Sequence, residues 1–122
     1  MGTNVYLEWD GMTEQDRHKQ YTGFSILYGH LGYLRASIWM IEENEILHKI
    51  FPDRHWYDAT SIRYRFTDKG LENVMRLVDE YLETETLVEP EKPLWAKSLV
   101  SFYQLGLKLD RDGKNPRVLI SW

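Results

Sequence analysis

Apolar and polar positions along this chain follow two rhythms. Near the start, Val5, Leu7 and Trp9 alternate with Asn4, Tyr6 and Glu8, the period of a half-buried strand. Farther on, Trp39, Met40, Ile46, Leu47, Ile50 and Phe51 recur at helical spacing, with Glu42, Glu45 and Lys49 on the other side. That spacing predicts an amphipathic helix. Pro52 stops it, because the residue before a proline is driven out of the helical region. His48 and Lys49 put positive charge in its last turn. The stretch from Tyr28 to Pro52 reads as the element around which the rest is arranged. Its start has two readings. Gly29, Gly32 and Ala36 at helical spacing offer a smooth strip for a neighbouring backbone. Alternatively, Gly29 to Gly32 is a tight turn whose free N–H groups face an anion. Packing is the preferred reading, since an isolated glycine pair carries little specificity.

The same rhythms organise the remainder. Asp10-Gly11 reads as a turn, and Thr13 as the N-cap of a short polar surface helix from Glu14 to about Tyr21. Phe24 to Tyr28 is a short apolar run that periodicity cannot assign; we place it as a lead-in to the long helix. Asp53 to Asp58 reads as a charged and aromatic loop. Ile62, Tyr64 and Phe66 alternate with Ser61, Arg63 and Arg65, which predicts a second strand with inward aromatics and solvated arginines. Thr67 or Asp68 caps a helix whose stripe is Leu71, Val74, Met75, Val78 and Leu82, with a Glu72–Arg76 pair. A connector with two prolines leads to a helix opening at Pro93. Trp95, Leu99, Phe102 and Gly106 form one line of it, and Ala96, Val100, Tyr103 and Leu107 the next. Val118 to Trp122 is nearly all apolar, as for a strand covered on both faces.

These elements predict an α+β fold: a small sheet of two to four strands, including the N- and C-terminal ones, packed against three main helices. The N- and C-terminal strands are expected to be neighbours, because a terminal strand is ordered only when something pairs with it. At 122 residues the chain is read as a single domain, 1–122, with a core that needs no disulfide or metal. It has no cysteine, which excludes thiol chemistry and Cys-based metal sites and points to a cytoplasmic setting. No apolar run is long enough to span a bilayer, and no secretory signal opens the sequence. The net charge of −4 argues against a general nucleic-acid binder. Five Trp and eight Tyr are more rings than so small a domain hides easily, so some are expected at a pocket or a subunit contact.

The candidate chemistry is thin. His30, Arg35, Arg54, His55 and Asp58 are the residues expected to bind a small anionic ligand if one binds. A histidine moves protons near neutrality, an arginine grips a carboxylate or phosphate, and an aspartate orients a histidine. The plainer reading is a surface loop whose Trp56 docks into the core. Glu45 and His48 make a single Glu-x-x-His pair, where a di-metal site needs two, so no metal and no cofactor is expected. Asp110, Asp112 and Asn115 fail the calcium-loop spacing. Arg63 and Arg65 interleaved with Tyr64 and Phe66 fail as a nucleic-acid platform, because the two sets face opposite ways. Two functions of different class remain. One is a non-catalytic interaction module that forms a homo-oligomer through its aromatic residues. The other is a small enzyme or binder for an anionic metabolite near Gly29–Gly32.

Overall fold

The computed structural model describes residues 2–22, 29–57, 60–83 and 91–121. Strand β1 (Gly2–Glu8) buries Thr3, Val5 and Leu7 and leaves Gly2, Asn4, Tyr6 and Glu8 half-covered, as its alternation requires. Helix α1 (Glu14–Thr22) is capped reciprocally. The Asp16 amide donates to Thr13 Oγ1 at 3.1 Å and the Thr13 amide to Asp16 Oδ2 at 3.0 Å, a capping box closed by aspartate. The helix lies on the surface except for buried Gln20, whose Nε2 donates to the carbonyls of Leu7 and Leu31. The apolar run Phe24 to Tyr28 lies outside the described residues.

Where one long helix was expected, the chain forms three elements instead. A 3₁₀ turn at Gly29–Leu31 leads into strand β2 (Tyr33–Ser37), and helix α2 covers only Ile41–Ile50. Gly32, at φ +79°, swings the chain into the sheet, a conformation glycine adopts cheaply. Leu34 and Ala36 then pair with Val5 and Thr3 on the core side, while Tyr33 and Arg35 lie on the opposite face with Tyr6 and Asn4, where Tyr33 is fully buried. Alternation over five residues was masked by the helical spacing of Gly29, Gly32 and Ala36. The close approach expected at Gly29 is present: a Cβ there would collide with the Ser98 carbonyl of the helix Glu91–Arg111.

Beyond α2, Asp53–Trp56 is one helical turn, α3, rather than loop, and Trp56 docks into the core. Strand β3 keeps only Ile62–Arg63 of the predicted alternation. Helix α4 runs Asp68–Glu83, its Gly70 amide capped by Thr67 Oγ1 at 3.0 Å. Its buried face is Val74, Leu77, Val78 and Tyr81, rotated from the predicted stripe so that Met75 and Leu82 are exposed. Arg76 pairs with Glu80, not with Glu72. Helix α5 (Glu91–Arg111) starts two residues before Pro93. Strand β4 (Arg117–Ser121) buries Val118 and Ile120 and leaves Leu119 half-covered, so one face of it is in the core rather than both.

The four strands form one antiparallel sheet in the order β2-β1-β4-β3. The N- and C-terminal strands are therefore neighbours, from Asn4 opposite Ser121 to Glu8 opposite Arg117. The inward side chains of β1, β2 and β4 join those of α2, α4 and α5 in one connected core. The architecture is α+β, a small sheet packed with helices. Helix α1 touches the other side of the sheet, where Tyr21 meets Tyr6 at 6.0 Å and Arg17 meets Glu8 at 3.6 Å.

Candidate functional site

The turn joining β2 to α2 is wired in place. Ser37 O accepts from the Met40 amide and from Asn44 Nδ2, and Asn44 Nδ2 also donates to Met40 O at 2.8 Å. Asn44 Oδ1 in turn accepts from the Thr3 hydroxyl at 2.8 Å. Both ends of the Asn44 amide are thus used, and they tie the turn to β1 and α2. The turn aims Ile38, Trp39 and Ile41 outward, exposed by 56 %, 87 % and 68 %. The sequence placed Trp39 on the buried face of a helix. The residue instead precedes the helix, so helical phase never applied to it.

Along α2, from Glu42 to Lys49, a groove of about 160 Å³ opens between α2 and α4. It is lined by Glu42, Glu45, Lys49 and Glu80 and by Ile46, Leu77 and Tyr81, the last three more than nine-tenths buried. Beside it, the Tyr81 hydroxyl donates to buried Glu43 at 2.5 Å. The Lys92 ammonium sits 4.1 Å from the Tyr81 ring centre, donates to Tyr81 O at 3.1 Å and pairs with Glu42 at 3.2 Å. These contacts tie the first turns of α2 and α5 to the last turns of α4. Small-molecule sites run to roughly 300–1000 Å³, so this groove has room for a side chain rather than a cofactor.

The residues expected at a ligand site are spread over the molecule. His30 is exposed on the 3₁₀ turn, which packs against α5 and beside β2. Arg35 lies on the outer face of β2, its guanidinium close to Gly2. Arg54 is exposed on α3, and His55, its neighbour, is enclosed at 1 % exposure. Helix α3 packs against β4, across β1 from β2. Asp58 lies outside the described residues. The structure thus brings Arg54 and His55 together only as sequence neighbours. His55 stands between the rings of Phe51 and Tyr64, 6.4 and 5.5 Å away, with neither ring nitrogen hydrogen-bonded. Burial holds its pKa below the usual value, and the charge of Arg54 adds to this, against a weaker pull from the Pro52 carbonyl. On the outer sheet face, burial and the nearby Tyr33 and Tyr21 push the Tyr6 hydroxyl up to about 12.

Among the described residues no three or more His, Asp or Glu side chains converge as metal ligands, and no helix is long and apolar enough to cross a membrane. Compared with family models, with curated proteins and with solved structures, the chain matches none. The groove and the Tyr81–Lys92 cluster were missed from sequence. Glu43, Tyr81 and Lys92 are far apart along the chain, and only the packing of α2, α4 and α5 unites them.

Proposed function

We propose that this protein is a non-catalytic interaction module that associates with a second copy of itself through the apolar surface around Trp39. One observation carries the reading: an indole 87 % exposed on a pinned turn, flanked by exposed Ile38 and Ile41. Burying one large apolar side chain is favourable by roughly 1.5–3 kcal/mol. A tryptophan left in water forgoes that gain. Contiguous exposed apolar residues of this kind mark contact surfaces, and tryptophan is enriched among residues that dominate binding energy. The cysteine-free sequence is compatible with a cytoplasmic setting for such a module. The anionic-ligand reading gains no comparable support, because Gly29 is sealed against α5 and His55 is enclosed.

Sedimentation equilibrium over a wide concentration range tests the proposal. Reversible association is expected, weakened about tenfold or more by Trp39→Ala, in line with the loss of an interface anchor. A strict monomer at all concentrations would overturn it.

A further inference from the structure

We infer that α3 is an acid-released latch: on taking up a proton, His55 leaves the core and carries Asp53–Trp56 off β4 and the end of α2, while the rest of the fold stays in place. The trigger is an imidazole with nowhere to put a charge. His55 is enclosed, and neither ring nitrogen has a hydrogen-bond partner. Once protonated, both nitrogens are donors. A buried charge without acceptors is costly, so the ring must reach water to keep its proton.

The surroundings supply no counter-charge. On its own turn, Arg54 repels a second cation and Asp53 is exposed. At the end of α2, Phe51 faces the ring, Lys49 lines the groove against α4, and His48 stacks on Trp56 at 3.6 Å. The Tyr64 hydroxyl donates to Ile50 O at 3.1 Å. From β3 and β4, Arg63 is held by Asp110 and Arg117 by Asp10, and Val118 and Ile120 are apolar.

The opening is local because α3 is one turn with few ties. Pro52 precedes it and brings no side-chain cap. Among the described residues, its His55 amide donates to Pro52 O at 2.9 Å and its Trp56 Nε1 to Phe51 O at 3.2 Å. Its neighbours are closed without it. The Phe51 amide ends α2 on Leu47 O at 2.9 Å, and β3 is paired with β4. Such an element opens while the rest stays folded. The stack of His48 on Trp56 works against release, since a cation on an indole face is attractive. His48 is exposed, however, so that attraction is weaker than the cost of an enclosed charge.

Hydrogen exchange at pH 7.5 and 5.0, corrected for the intrinsic effect of pH, tests the latch. An exposed imidazole takes its proton near pH 6.5, so the open population grows about tenfold for each pH unit below that. The His55 and Trp56 amides are expected to lose at least tenfold in protection, with α4 and α5 unchanged. His55→Leu is expected to abolish the loss. In the parent, the His55 ring followed by NMR is expected to titrate together with that loss, a readout that stands if the variant fails to fold. Protection lost equally in α4 and α5, protection of α3 that ignores pH, or a His55 ring that titrates while α3 stays closed would each overturn the latch. A loss that persists in folded His55→Leu overturns it too.

Discussion

His55 shows how one side chain can set the response to acid. Its ring is buried among Phe51 and Tyr64 without a hydrogen-bond partner, so the folded chain resists protonating it. The unfolded chain takes the proton first, near pH 6.5. Stability is therefore full above that value and falls as the pH drops from about 6.5 towards the depressed folded value, then levels. Denaturant midpoints at pH 7.5 and 5.5 should differ, and His55→Leu should shrink the difference. An unchanged slope in that variant would remove His55 as the cause. Asp110 acts in a lower window. Burial pushes its carboxyl up, but the Arg63 guanidinium at 2.7 Å and the Phe66 amide at 2.8 Å outweigh this and hold it below 3.8. That contribution is present above about pH 4 and is lost as the pH falls through the lowered value. Replacing Asp110 with alanine leaves Arg63 and the Phe66 amide short of a partner, at a cost of about 1–3 kcal/mol, readable in urea unfolding. The sequence reading left Arg63 in solvent because the strand pattern reports a face, not what lies across from it.

Elements meet most closely where glycine removes a side chain. The 3₁₀ turn rests on α5 through Gly29, and the Phe66 ring occupies the place a Cβ would take at Gly106. Gly106→Ala should cost on the order of 1–3 kcal/mol by overpacking, and Gly29→Ala more, because its obstacle is backbone rather than a ring. Differential scanning calorimetry would rank the two, and equal melting temperatures would contradict the packing described. Loss of the Thr13 cap should be milder, about 1 kcal/mol by the same measurement.

The elements also show where periodicity informs and where it fails. Val5 and Leu7, Ile46 and Leu47, and Leu99 and Phe102 lie in stretches long enough to declare their period, and all are buried. Strand β2 has five residues, and a short alternation behind two glycines looks helical. The stripe of α4 was misphased: Leu77 and Tyr81, not Met75 and Leu82, complete the buried face with Val74 and Val78, and the Tyr81 hydroxyl finds buried Glu43. The ligand residues could not be grouped at all: His30 and His55 are near each other in neither sequence nor element contacts, and no local pattern carries such information.

At the scale of the molecule, the sheet has two edges and both are guarded. Strand β2 has its Arg35 carbonyl taken by the Trp95 indole at 3.1 Å and its Ser37 groups by Met40 and Asn44. Strand β3 has two residues. Among the described residues neither edge offers a long free row of donors and acceptors that recruits another strand, so the self-association proposed above is one of side chains. The centre of the sheet has a different consequence. Residues 4 and 121 lie opposite each other in β1 and β4, so a short linker can join the ends into a ring. That ring can be reopened between Asp112 and Gly113, in an exposed turn. In this circular permutant the pairing of greatest sequence separation becomes a local hairpin, and chains rich in local contacts fold faster. Stopped-flow refolding of the rearranged chain should outpace the parent while ending in the same fold.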